Sequence, residues 1–428
     1  MRTVDLSHEP SAVVRLVHRD IAKEGVPERV VRSILKDVQR RGDRALLEYT
    51  RKFDCPRIDD IGLRVSPREI RSAYGAVSRP FLRSLRLAKR NITEYHARQN
   101  PGPVRLNRGG LRVTQHYLPL ERVGMYVPGG KAAYPSTVLM NAIPASVAGV
   151  REIVMTTPCN PSGQIAAEVL VAAGECGVSE IYRVGGAQAV AALAYGTGTI
   201  RRVDKITGPG NIYVATAKRL VFGVTGIDAL AGPTEVLIIA DERARPELVA
   251  ADLIAQAEHD EQALAVCVSP SARILRQVGR ALEKQLRSAP RRKIARRSLG
   301  KRGLLIRVSS LTEAAEVANS LSPEHCELHV RNPRRFSEKI TAAGAVFVGE
   351  WATEALGDYV AGPNHTLPTS GTARFSSALS TLDFMRFSTT LECSRREFLT
   401  LAPAVEVLAE AEGLYGHAAS VRIRRTLQ

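Results

Sequence analysis

Hydrophobic positions in the first hundred residues recur at three- and four-residue spacing. Between Val26 and Asp43, Val30, Ile34, Leu35 and Val38 fall on one helical face, and Arg71 to Arg98 repeats the pattern, which predicts amphipathic helices. From about Arg122 the texture changes to short β-rich runs, each closed by glycine or proline and followed by an alanine-rich stretch of helical length. The runs 122–128, 152–158, 180–186 and 235–241 predict strands, and 304–308 and 345–349 continue the theme. Strands alternating with helices of about 12 residues describe βαβ units and a parallel sheet covered on both faces. After Asp358 the alternation stops, and the remaining residues read as a polar loop, an amphipathic segment and a short terminal helix. No internal repeat or low-complexity tract interrupts the chain.

At 428 residues and 44% apolar content the chain can fill the cores of roughly three domains of about 150 residues each. No apolar run approaches the roughly 20 residues a bilayer span needs, and none lies near the amino terminus, so a cytoplasmic protein is expected. Six cysteines, at 55, 159, 176, 267, 326 and 393, form no CxxC pair, which argues against a disulfide framework or a thiolate zinc cluster. The net charge of +17 would suit a nucleic-acid binder if it formed one stripe with aromatic residues. It does not: the excess sits in residues 1–120 and 271–310, and the run Arg287 to Arg302 holds no aromatic side chain to stack on a base. A solvated face is the better reading.

Nine histidines filter the candidate chemistry, because imidazole is the usual acid, base or metal ligand near neutral pH. His8, His18, His96, His116 and His329 read as structural. The other four stand in unusual company. In IleAlaGlnAlaGluHisAsp (254–260), on a helix beginning at Pro246, Gln256 and His259 are three apart and share a face. SerProGluHisCysGluLeu (322–328) sets Glu324 beside His325, two adjacent groups able to handle separate protons. The loop 357–369 carries Asp358 and His365 among glycines and prolines, and GluGlyLeuTyrGlyHis (412–417) ends on His417. Each signal alone is matched by a bland surface reading.

Glycine-rich turns supply the other half. The standard dinucleotide fingerprint GlyXGlyXXGly is absent after any strand. Instead ProGlyGlyLys (128–131), GlyGlyAlaGln (185–188), LysIleThrGlyProGlyAsn (205–211) and AlaGlyProThrGlu (231–235) place small residues at strand-to-helix junctions. Four such turns at the carboxyl edge of a parallel sheet suit a nucleotide-sized ligand.

Taken in order from Val123 to His417, these segments resemble the histidinol dehydrogenases, zinc enzymes that oxidise L-histidinol to L-histidine with two NAD as the last step of histidine biosynthesis. The resemblance covers nearly the whole chain. It implies an α/β fold of two interlocked Rossmann-like parallel-sheet domains, with a helical amino-terminal region and a swapped carboxyl-terminal tail. The expected division is 1–125 plus 235–380 for the metal and catalytic residues, 126–234 for NAD, and 381–428 for dimerisation. Carried over position by position, the zinc ligands fall on Gln256, His259, Asp358 and His417, and the proton-handling pair on Glu324 and His325. NAD contacts fall on Tyr126, Gln188 and Asn211. Substrate contacts fall on Thr234, Gln256, His259, His325, Asp358, His365, Glu412 and His417.

The family is a homodimer, which implies that Glu412 and His417 complete the other subunit's site. One zinc per subunit is implied, with no nucleic-acid or membrane partner. A thiohemiacetal on Cys326 or Cys159 is disfavoured, since hydration of an aldehyde needs no thiol. The nearest rival is a paralogous zinc- and NAD-dependent dehydrogenase of another polar alcohol, against which Glu412, near the imidazole end of histidinol, argues.

Overall fold

Alanine-rich segments between β-branched runs wind into helices that cover two parallel sheets. The computed structural model describes residues 1–8, 28–129 and 133–426; His18, and Gly130 and Lys131 of the ProGlyGlyLys turn, lie outside the described residues. In chain order the strands are β1 (Arg2–Asp5), β2 (Val104–Arg108), β3 (Leu111–Pro119), β4 (Arg122–Tyr126), β5 (Glu152–Thr157), β6 (Glu180–Arg183), β7 (Lys205–Thr207), β8 (Gly226–Ile227), β9 (Glu235–Ala240), β10 (Leu264–Ser269), β11 (Leu304–Arg307), β12 (His325–His329), β13 (Ala345–Val348) and β14 (Met385–Cys393).

One sheet runs β6-β5-β4-β7-β8 and the other β1-β11-β10-β9-β12-β13, all pairs parallel. Each is wound outward in both directions from a central strand, β4 or β9, so each has a point where the winding direction reverses, between β4 and β7 and between β9 and β12. Every residue of β9 and β10 is buried, as strands covered on both faces require. Both sheets belong to one compact unit, Met1–Gln99 with Leu120–Phe384.

A second unit joins Asn100–Pro119 to Met385–Gln428. In it β14 pairs antiparallel with β3, which pairs with β2, and the helices Arg395–Ala411 and Tyr415–Thr426 follow. The polar-loop reading of the tail therefore missed a nine-residue strand, because its partner β3 lies more than 250 residues earlier and its alternating side chains are mostly exposed. His116 likewise sits on β3 rather than in a helical region.

Two details of the helical region also differ from the periodicity. In the helix Glu28–Arg41 the buried face is Val31, Ile34, Leu35 and Val38, and Val30 is exposed. The stretch 71–98 is two helices, Pro67–Ala76 and Arg79–Ala97, separated where the Ser78 side chain accepts the Phe81 backbone N–H and Pro80 fits the first turn.

Candidate active site

The catalytic candidates lie at the amino edge of the six-stranded sheet, opposite to the edge expected of the AlaGlyProThrGlu turn. That turn leads into β9 instead of following a strand, so Thr234 and Glu235 meet Glu324 and His325, which stand at the start of β12. The helix Leu311–Leu321 closes on Ser322 at a left-handed φ of 48°, and Pro323 then directs the chain into β12.

Hydrogen bonds fix the pair. The Thr234 hydroxyl donates to Glu324 Oε2 at 2.6 Å, and the Glu235 backbone N–H donates to the same oxygen at 2.9 Å. Burial pushes the Glu324 carboxyl well above its ordinary range, and these two donors partly offset it. His325 Nδ1 lies 3.0 Å from the Glu235 carbonyl, a bond that requires Nδ1 to carry the proton. Nε2 is then the basic nitrogen; it is buried, has no hydrogen-bond partner and lies 3.8 Å from Asp358 Oδ1. Burial pulls this imidazole down to about 3, keeping it neutral.

Gln256 lies in the last turn of the helix Pro246–Ala257, and its amide donates to Thr234 Oγ1 at 2.8 Å. The carbonyl oxygen Oε1 is left buried without a partner, an acceptor suited to a cation. His259 lies beyond the end of that helix, so the one-face argument for the pair holds only through a final turn in which the His259 N–H bonds the Gln256 carbonyl. One donor atom from each of His259, Glu354 and Asp358 lies within 4.8 Å of the others. Nitrogen and oxygen donors of this kind suit zinc, and a buried and a half-buried carboxylate with an orphaned amide oxygen fit a divalent cation. Asp358 is raised to about 7 by burial alone.

Glu354 was missed in the sequence. It is buried, its Oε2 has no hydrogen-bond partner, and burial followed by the charge of Asp358 raises its carboxyl well above the usual range. Its spacing of four from Asp358 on the helix Glu354–Tyr359 was the available signal. His365 Nδ1 pairs with the Asp358 carbonyl at 3.0 Å, and Asn364 Nδ2 donates to the Met140 carbonyl at 2.6 Å, tying this loop to the first helix after β4. His329, read as structural, sits 3.5 Å from both Asp252 and Glu327; burial opposes its charge, but those carboxylates hold it up to about 9.

Tyr126, Gln188 and Asn211 gather at the carboxyl edge of the five-stranded sheet, around its reversal point. The Tyr126 hydroxyl accepts the Gly186 N–H, and Asn211 caps the helix Ile212–Val221 by accepting from Tyr213 and Val214. Gly208, at φ 102°, approaches Tyr126 so closely that a Cβ would collide with the Tyr126 carbonyl oxygen. The buried Lys218–Asp228 pair braces this turn, Lys218 Nζ donating to the Gly208 carbonyl at 2.9 Å and Asp228 accepting the Gly208 N–H at 2.7 Å. Thr156 and Thr207, on the strands flanking β4, carry buried hydroxyls without hydrogen-bond partners. Open α/β sheets ordinarily bind nucleotides at such an edge, beside the reversal point.

Glu412 and His417 lie in the second unit and are exposed. Cys326 is fully buried and its thiol is pushed up to about 12 by burial, which leaves it unreactive. No helix among the described residues is long and apolar enough to cross a membrane.

Comparison with known proteins places this geometry. Residues 18–425 match the family model described as histidinol dehydrogenase. The chain is 50% identical to the histidinol dehydrogenase of a Synechococcus species, across 99% of this chain and 95% of that protein. It is also 50% identical to that of Moorella thermoacetica, across 95% and 96%. The solved structure of histidinol dehydrogenase from Elizabethkingia anophelis superposes with a TM-score of 0.93 at 37% identity, covering 99% of this chain and 98% of that one. The α/β architecture and the ordered motifs thus have one source: the chain belongs to the histidinol dehydrogenase family.

Proposed function

We propose that the protein oxidises L-histidinol through L-histidinaldehyde to L-histidine with two NAD, as a cytoplasmic homodimer binding one zinc per subunit. The observation that carries this reading is the pairing of Glu324, held by Thr234 and Glu235, with a neutral His325 whose free Nε2 faces Asp358. Gln256, His259 and Asp358 would hold zinc together with His417, and Tyr126, Gln188 and Asn211 would hold NAD. When bound, zinc anchors substrate nitrogens as a Lewis acid and NAD accepts the hydride.

His325 Nε2 takes the carbinol proton in the first oxidation. Its Nδ1–H, fixed on the Glu235 carbonyl, keeps Nε2 unprotonated and correctly aimed. Glu324 then removes a proton from water as that water adds to the aldehyde carbon. The buried surroundings that raise its pKa make the carboxylate a stronger base. Once His325 has released its first proton to solvent, departure of the second hydride to the second NAD and of the remaining hydroxyl proton to His325 would give the carboxylate. Thr234, Gln256, His259, His325, Asp358, His365, Glu412 and His417 are assigned to substrate contact.

Dimerisation is supported by the second unit itself, where Phe387, Leu391, Val407, Leu408, Tyr415 and Ile423 are exposed apolar side chains. Glu412 and His417 would complete the partner's site. The test is NADH formation from L-histidinol by the zinc-loaded protein, with sedimentation giving the assembly state. A dimer that forms NADH supports the reading; oxidation of a different polar alcohol with none of histidinol rejects it.

A further inference from the structure

The GlyGlyAlaGln turn opens the helix Gly186–Tyr195 at the carboxyl edge of the five-stranded sheet, where a dinucleotide fold ordinarily offers free N–H groups to a pyrophosphate. Here the first two of those donors, at Gly185 and Gly186, are taken. Asp54, the residue that closes the helix Asp43–Phe53, reaches across so that its Oδ2 accepts the Gly185 N–H at 3.0 Å, while the Gly186 N–H donates to the Tyr126 hydroxyl at 3.2 Å. A Cβ at Gly185 would lie 2.9 Å from Asp54 Oδ1 and 2.8 Å from Pro158 Cβ, so only glycine admits the carboxylate. Gln188, itself only 2% exposed, points its amide at Asp54 Oδ2, 3.4 Å away.

A carboxylate at this position repels a phosphate and accepts from hydroxyls. Both protein donors converge on Oδ2, and among the described residues no hydrogen bond ends on Oδ1. Asp54 is half-buried and stands beside two groups assigned to NAD: Gln188, whose amide points at its Oδ2, and Tyr126, whose hydroxyl lies within reach of its charge. The feature rests on residues from outside the sheet, brought in by a helix more than 100 residues earlier, which is why no strand-turn-helix motif announces it.

Accepting the NAD-dependent reading above, we infer that Asp54 is a cofactor-binding residue whose free carboxylate oxygen accepts ribose hydroxyl hydrogen bonds and excludes a ribose 2′-phosphate, making it the determinant of NAD over NADP. A dianionic phosphate beside a partly buried carboxylate suffers like-charge repulsion and loses the hydroxyl donors the site accepts. Asp54→Asn keeps the shape and an oxygen for the Gly185 N–H but removes the charge. Asp54→Ser shortens the side chain and leaves room for a phosphate.

The experiment measures binding of NADH and NADPH to the full-length protein by fluorescence titration, alongside kcat/KM for NAD and NADP with L-histidinol. Wild type should bind NADH at least about tenfold more tightly than NADPH. Asp54→Asn and Asp54→Ser should each shift the NADPH-to-NADH affinity ratio toward NADPH by about tenfold or more. A ratio within twofold of wild type in both variants, whatever their melting temperatures, would reduce Asp54 to a helix cap and overturn the inference. Wild type that binds neither nucleotide overturns the NAD-dependent reading and this inference with it; binding of NADH without histidinol oxidation leaves the ratio test decisive for Asp54 alone.

Discussion

Thr234→Val removes one hydroxyl from the centre of the site while preserving its shape. That hydroxyl donates to Glu324 Oε2 at 2.6 Å and accepts from Gln256 Nε2 at 2.8 Å, so one atom positions a proton-handling carboxylate and a candidate zinc ligand. A hydrogen bond to a charged group contributes about 1.5–3 kcal/mol, and a neutral one about 0.5–1.5 kcal/mol. Valine also leaves the buried Gln256 amide unpaired and free to turn. A loss of about 2 kcal/mol confined to the step that uses ionised Glu324 slows it about 30-fold. Because the hydroxyl favours the carboxylate form, its removal shifts the rising limb of the pH profile for aldehyde oxidation to higher pH. The assay is stopped-flow NADH formation from histidinol and, separately, from histidinaldehyde, with zinc affinity measured by chelator competition. Thr234→Ser, which keeps the hydroxyl, should recover most of both. Rates and zinc affinity of Thr234→Val within threefold of wild type would refute the assignment of Thr234 as the joint support.

His325→Asn should abolish the first oxidation, whereas Glu324→Gln should spare it and slow conversion of added histidinaldehyde; equal losses in both steps for both variants would contradict the division of roles. Gly208→Ala forces a Cβ against the Tyr126 carbonyl at φ 102° and should raise the dissociation constant for NADH at least about tenfold, read by fluorescence. Asp358 has a folded-state pKa of about 7 against 3.8 for the free group, so in metal-free protein it supports folding at low pH, an effect lost as pH rises through 7. At one pKa unit per about 1.4 kcal/mol, the stability drop between pH 4 and pH 8 should be smaller by about 4 kcal/mol in Asp358→Asn than in wild type, by urea unfolding of chelated protein. Equal drops would show that burial does not set this group.

The parallel-sheet strands at 122, 152, 180 and 235 were legible because covered strands read as continuous β-rich runs between glycines, and the partly exposed strands at 304 and 345 carry the same kind of run. The edge strand β1 and the three-residue β7 were not, since short segments carry no period of their own. β14 and its partner β3 escaped because their pairing spans the chain, and the mostly exposed β14 shows no buried face. In the site, Gln256, His259, Glu324, His325 and Asp358 stood out through type and motif, and the structure gathers them. Glu354, Asp54 and the Lys218–Asp228 pair did not. Their meaning comes from what they touch across the fold, as Asp54 does at Gly185, and spacing cannot encode a contact 131 residues away. The direction of β9 explains the one misplaced edge: Thr234 precedes its strand, and sequence alone had paired every glycine turn with a strand's end.

The most direct test of the central claim is the balance of products when zinc-loaded protein turns over limiting L-histidinol with excess NAD. The account predicts two NADH formed for each L-histidine, with no histidinaldehyde accumulating and with activity lost on chelation. One NADH per histidinol with aldehyde released, or no NADH at all, would contradict it.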